Sequence, residues 1–188
     1  MRTAFFLGGL VVVAATLQAA VIPGLLPPVL RPDVCVLLAI AALAFAPREL
    51  GLMAVFTMGL VADLFSSGRF GLLTLSYMLA AGIILWTAWR ELTHGDVLGA
   101  WIGGLAGTIL AHTIYIFAAR RCGIDLPVGQ GFATILSLVI AGTVWGLPLA
   151  YFCGKTMYTL GVVSPEVREK WAKQARIAAA RRGKTLRA

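Results

Sequence analysis

The chain of 188 residues is 60% hydrophobic and only 13% charged, with a mean hydropathy of +0.89. A soluble domain of this length has too little interior to bury that much apolar surface, so the composition excludes an ordinary soluble protein. The net charge of +8 is uneven, because nine of the 16 Lys and Arg residues lie from Lys155 onward, against two acids.

Long apolar runs separated by short polar breaks predict an all-α polytopic membrane protein with six spanning helices in one bundle, over residues 1–154. The first run follows Met1 and Arg2 directly, and its length favours a spanning helix over a signal peptide. The predicted spans are Thr3–Ile22, Val34–Ala46, Leu50–Phe65, Phe70–Trp89, Val97–Ala119 and Phe132–Phe152.

The second and third spans are shorter than the roughly 20 residues that a straight crossing needs. Val34–Ala46 would extend only about 20 Å at the helical rise of 1.5 Å per residue. These two spans either form a helical hairpin packed inside the bundle or extend into the flanking loops. A re-entrant hairpin is the competing interpretation, and it would change the topology.

Asp63 is an acid at the end of an apolar run, in the string Gly59-Leu-Val-Ala-Asp63. A charge at bilayer depth costs at least a few kcal/mol, so such an acid is placed against a partner, an interface or water. Asp63 either caps the start of the fourth span, pairs with Arg69 or accepts hydrogen bonds from a partner protein; we favour a role inside the fold. We expect it to be the only intramembrane carboxylate.

Small residues recur at every fourth position in the fifth and sixth predicted spans. Such stripes let helix backbones approach closely where lipid supplies no hydrophobic force. We expect them to pack inside the bundle, with a subunit interface, and hence a homo-oligomer, as the alternative. The glycines concerned are Gly99, Gly103 and Gly107 in the fifth span and Gly142 and Gly146 in the sixth.

Residues 155–188 predict a basic cytoplasmic tail, which places both termini at the cytoplasmic side. Ser164-Pro165-Glu166 is a helix start, with a capping Ser and Pro in the first turn. The tail forms either a short amphipathic helix on anionic lipid or a partly disordered segment. Nothing in it predicts binding to nucleic acid. Its predicted membrane-surface residues are Trp171, Arg168, Lys173, Arg176, Arg181 and Arg182.

The sequence predicts no catalytic, metal or cofactor site. Its three cysteines form no CxxC pair, and no motif for phosphate binding or nucleophilic catalysis is present. His112, in the fifth span, is expected to hydrogen-bond to a neighbouring helix, with a proton relay to Asp63 as the less favoured role.

Three segments together resemble the bacterial rod shape-determining membrane protein family MreD. These are Arg31-Pro32-Asp33 before the second span, Gly59-Leu-Val-Ala-Asp63-Leu-Phe65, and Gly68 and Gly71 leading into Leu75-Ser-Tyr77. The resemblance covers roughly residues 1–152.

Membership would imply a non-enzymatic inner-membrane scaffold of the cell-elongation machinery, which binds the bitopic protein MreC and supports peptidoglycan synthesis and cell shape. The MreD fold is similar to the substrate-binding subunits of vitamin transporters. That similarity leaves a second hypothesis open, namely a substrate-binding subunit of a small-molecule transporter.

Overall fold

The computed structural model describes residues 2–27, 30–66, 68–87, 95–124 and 127–185, and the side chains of all of these except 2–4, 128 and 178–185. Within these ranges every regular element is helical, which confirms the predicted all-α class. The elements are α1 (Arg2–Thr16), a π-helical turn (Leu17–Val21), α2 (Ile22–Leu25), α3 (Val34–Phe45), α4 (Arg48–Phe65), α5 (Leu72–Trp86), α6 (Val97–Arg121), α7 (Val128–Leu160) and α8 (Pro165–Thr185).

Three helical stretches are long and apolar enough to cross a membrane, namely Phe5–Leu25, Val97–Arg121 and Gly129–Leu160. The described part of the chain thus provides fewer spans by length and composition than the six predicted. Helices α3 and α5 are apolar but have only 12 and 15 residues.

Helix α3 is the centre of the bundle, and all 12 of its residues are buried. Five helices surround it as a ring, in which α1 contacts α4, α4 contacts α5, α5 contacts α6 and α6 contacts α7. Helices α1 and α7 approach each other least, so the ring is weakest at this joint. A helix that is apolar all round is suited to a site enclosed on every side.

Helices α3 and α4 form a hairpin, because only Ala46 and Pro47 separate them. At 1.5 Å per residue α3 is about 18 Å long, well short of the roughly 30 Å hydrocarbon core. Protein encloses α3 over that whole length, whereas α4 exposes Met53, Phe56 and Leu64 on its outer face. Of the predicted hairpin, only the first arm is therefore packed inside the bundle.

Helix α7 runs for 33 residues, or about 50 Å at the α-helical rise, and therefore continues past the predicted end of the bundle at residue 154. It ends at Gly161, whose φ of 69° is the left-handed conformation that glycine adopts easily. After a short turn, the Ser164 hydroxyl accepts the Val167 N–H at 3.4 Å and begins α8.

Candidate functional site

Asp63 is buried, with 4% of its surface exposed, and it caps α5. Its Oδ1 accepts the N–H of Leu73 at 3.0 Å, and its Oδ2 accepts the N–H of Thr74 at 2.9 Å and the Thr74 hydroxyl at 2.5 Å. The first N–H groups of a helix have no partner within the helix, and the helix dipole favours a negative charge there. Of the roles predicted for Asp63, the structure contains the cap; Arg69 is exposed and forms no ion pair with any described residue.

The glycines around Asp63 lie where neighbouring helices come close together or where the chain turns into α5. A Cβ on Gly59 would lie 2.6 Å from the Thr74 Cα, so α4 and α5 approach too closely at this point for any other residue. Gly71 has a φ of 93° and stands directly before α5. A Cβ on Gly68 would lie 2.6 Å from the Tyr115 hydroxyl of α6. Gly59 and Gly71 therefore help to bring the acid onto the start of α5, whereas Gly68 leaves room for the Tyr115 side chain.

Asp33 is a second buried carboxylate, with 8% of its surface exposed. Its Oδ1 accepts the Val36 N–H at 3.1 Å and so caps α3, while its Oδ2 accepts the Tyr77 hydroxyl at 2.5 Å. Asp63 was predicted to be the only intramembrane carboxylate; the structure places a second buried carboxylate, Asp33, in the same bundle. The sequence did contain a signal for this role of Asp33, because an Asp directly before an apolar run is a favoured N-cap residue.

His112 of α6 completes the Asp33 site. Its Nε2 lies 3.3 Å from the Asp33 Oδ2, and its Nδ1 lies 3.0 Å from the Thr108 carbonyl oxygen. Because a carbonyl only accepts, Nδ1 carries a hydrogen. The partner of His112 is thus Asp33, and not Asp63.

Gln18 closes the N-terminus of α3, because its Oε1 accepts the Val34 N–H at 3.1 Å. Gln18 lies in the π-helical turn, where the extra residue in the turn changes the direction of the side chains. We call the set of Gln18, Asp33, Asp63, Thr74, Tyr77 and His112 the polar cluster; it joins the π-turn that follows α1 to α3, α4, α5 and α6.

The polar cluster binds helices together and has the chemistry of a structural network. Its carboxylates accept hydrogen bonds from backbone and side-chain donors of the bundle itself. Among the described residues, no group of three His, Cys, Asp or Glu side chains is placed to hold a metal ion.

The opposite end of α3 is closed by backbone groups. The N–H of Gly95 donates to the Ala44 carbonyl at 3.2 Å, and the N–H of Ser164 donates to the Phe45 carbonyl at 3.0 Å. Trp171 of the tail packs its ring against Phe45, with centroids 5.8 Å apart, and its indole N–H donates to the Gly95 carbonyl at 2.6 Å.

The predicted membrane-surface residues whose side chains the structure describes divide into two groups. Trp171 is half-buried against the bundle, so its side chain serves to dock the tail. Arg168, Lys173 and Arg176 are exposed. The side chains of Arg181 and Arg182 lie outside those that the structure describes.

The glycine stripes of α6 and α7 face the interior of the bundle. A Cβ on Gly107 would lie 2.7 Å from the Ile40 side chain of α3. A Cβ on Gly142 would meet Leu105 at 3.0 Å, and one on Gly146 would meet Trp101 at 2.7 Å. Towards the start of the α6 stripe, Gly103 is buried and Gly99 is half-buried. These contacts lie within the chain and involve no second copy.

Comparison of the chain with protein-family models, with curated proteins and with solved structures gave no match.

Proposed function

We propose that the chain is a MreD-type protein: a non-enzymatic scaffold in the bacterial inner membrane that binds MreC and supports peptidoglycan synthesis and cell shape. One observation carries the proposal. The first of the three segments behind the resemblance is separated in sequence from the other two, which are neighbours, yet all three meet in the polar cluster. Asp33 of the first accepts the Tyr77 hydroxyl of the third, and Asp63 of the second caps the helix that carries Tyr77.

The polar cluster favours a scaffold over a transporter subunit. A substrate-binding subunit needs polar side chains that face a cavity, whereas Asp33, Asp63 and Tyr77 are almost fully buried and bonded to one another or to helix N-termini. A cavity of about 490 Å³ between α1 and α7 is lined by apolar side chains instead. A rigid arrangement of this kind suits a protein that holds a partner in a fixed position.

We also propose a topology of six passes, with α3 enclosed by the other helices and both termini in the cytoplasm. Phe5 of α1 and Leu160 of α7 line the same cavity, which supports a common side for the two ends of the bundle. The excess of Lys and Arg after Lys155 supports the cytoplasmic side for that end. Arg168, Lys173 and Arg176 would then contact anionic lipid of the inner leaflet.

The test is purification of the tagged chain from its native bacterial membrane in mild detergent. We expect MreC to be recovered in near-stoichiometric amount, and depletion of the chain to convert rod-shaped cells into spheres. Recovery of ATPase subunits of a transporter without MreC would overturn the scaffold proposal and support the transporter alternative.

A matched pair of variants makes this test sharper. Asp63→Asn keeps an acceptor for the start of α5, whereas Asp63→Ala removes it. If Asp63 acts only inside the fold, the amount of MreC recovered per folded molecule should be the same for both variants. A loss of MreC from a folded Asp63→Ala protein would show instead that the carboxylate contacts the partner.

A further inference from the structure

The joint between α1 and α7 contains a continuous apolar groove. One cavity of about 490 Å³ and another of about 140 Å³ lie along this joint, and both are lined by Val13 and Phe152. Val34 and Leu38 of the central helix line the larger and the smaller cavity respectively. The groove thus reaches α3 at the one place where the surrounding ring is weakly closed.

The dimensions of the larger cavity fit a single hydrocarbon chain. Between Val13 and Leu25 the chain advances by about 18 Å at the helical rise, slightly more than the roughly 15 Å that one leaflet of the hydrocarbon core occupies. The cavity of about 490 Å³ is lined by apolar side chains along this length, as a hydrocarbon chain requires.

The larger cavity is open towards the surface that would face lipid. Leu25 is 76% exposed, and Trp145 and Phe152 on the opposite wall are also exposed. A hydrocarbon chain can therefore enter from the side.

Arg31 places a positive charge at the mouth of the larger cavity. Its Nε donates to the Leu26 carbonyl at 3.0 Å and its Nη2 donates to the Pro23 carbonyl at 3.1 Å. Leu26 is itself part of the cavity wall. Arginine has five N–H donors, and among the described residues no carboxylate forms an ion pair with this one. The guanidinium therefore keeps donors and charge for a phosphate, which it is shaped to bind.

We propose that the groove between α1 and α7 binds an anionic glycerophospholipid of the membrane, with one acyl chain along the larger cavity and the phosphate on Arg31. The charge at the mouth and the apolar wall below it match the two parts of such a lipid. The inference is independent of the proposed binding to MreC.

The test measures thermal unfolding of the purified full-length chain in detergent micelles with added phosphatidylglycerol or phosphatidylcholine. A ligand that binds the native state raises the unfolding midpoint. We expect the anionic lipid to raise it by several degrees more than the zwitterionic lipid, and Arg31→Gln to reduce this difference by at least half. Arg31→Lys, which keeps the charge but not the planar fork, should restore part of it.

Variants of the cavity wall distinguish lipid bound in the groove from lipid bound elsewhere on the protein. Leu149→Trp on the cavity wall should reduce the shift at least by half, whereas Leu147→Trp, on an exposed part of the same helix, should leave it unchanged. Replacing Arg168, Lys173 and Arg176 by Gln removes the lipid contacts proposed for the tail, and the part of the shift that depends on Arg31 and Leu149 should persist in that background. Equal shifts in the wild type, Arg31→Gln and Leu149→Trp would overturn the proposal.

A photo-crosslinking amino acid identifies the occupant directly. Introduced at position 149 in native membranes, it should form adducts enriched in anionic phospholipid relative to the same probe at position 147, which samples bulk lipid. An adduct at position 149 with a polypeptide would show that a partner helix covers the joint, and would overturn the assignment to lipid.

Discussion

The free backbone groups at the two ends of α3 are hydrogen-bonded by different kinds of partner. At the N-terminal end, the side chains of Gln18 and Asp33 accept the free N–H groups, and Tyr77 and His112 hold the carboxylate. At the C-terminal end, backbone N–H groups of two distant turns donate to the free carbonyls, and Trp171 covers them. Both ends need partners because unpaired backbone groups buried away from water are costly.

The difference predicts how each end responds to substitution. The N-terminal end depends on the identity of a few polar side chains, so removing one leaves several donors unsatisfied. The C-terminal end depends on backbone geometry, so it tolerates changes of side chain better than changes of conformation. Four variants, in order of decreasing expected effect, test this contrast.

Asp33→Ala should have the largest effect, because it removes the acceptor of Val36 and Tyr77 and the partner of His112. Each buried donor left without its acceptor costs about 1–3 kcal/mol of unfolding free energy. Asp33→Asn keeps one oxygen acceptor and should lose less. Unfolding of both variants in a denaturing-detergent titration measures the difference. A wild-type midpoint for Asp33→Ala would show that the polar cluster does not stabilise the bundle.

Asp63→Ala should come second, since it removes one helix cap but no pair with a histidine. Loss of an N-cap together with a buried hydroxyl acceptor should cost about 2 kcal/mol. The same titration measures it, and Asp63→Asn is the control that retains an acceptor. A loss of unfolding free energy equal to that of Asp33→Ala would show that the two acids stabilise the bundle equally.

Gly95→Ala should distort the C-terminal end of α3. Gly95 has a φ of 76°, and a Cβ there would lie 2.9 Å from the Val167 side chain. The left-handed conformation alone costs about 1–2 kcal/mol for a residue with a Cβ. The double variant with Val167→Ala relieves the contact but not the backbone strain, so it should recover only part of the stability. Complete recovery would show that the φ angle imposes no cost.

Trp171→Phe should have the smallest effect, because the ring still packs on Phe45 and only the hydrogen bond to Gly95 is lost. One such bond contributes about 1 kcal/mol. The tail should become cleaved faster by trypsin after Lys173, while the unfolding midpoint of the bundle changes little. Trp86→Phe is the control, since Trp86 is 90% exposed. Identical cleavage rates for Trp171→Phe and the wild type would contradict docking through the indole.

Much of the helical pattern was predictable because it is local. Val34–Phe45 and Leu72–Trp86 lie within the predicted second and fourth spans, and Ser164-Pro165 marks the turn before α8. The cap at Asp63 was among the predicted roles because only a short turn separates it from α5. Asp33 was missed although it stands at a favoured cap position, because its contacts with Tyr77 and His112 join residues that are distant in sequence.

The amino-acid sequence by itself determined the apolar helices, the basic tail and the position of Asp63 at the end of an apolar helix. Each of these depends on neighbouring residues and on local periodicity. The tertiary structure alone decided that α3 is central, that Asp33 meets Tyr77 and His112, and that Trp171 docks on the bundle. Hydropathy cannot distinguish a helix face that packs on protein from one that faces lipid, because both surroundings are apolar. Only the arrangement of the helices around α3 resolves that difference.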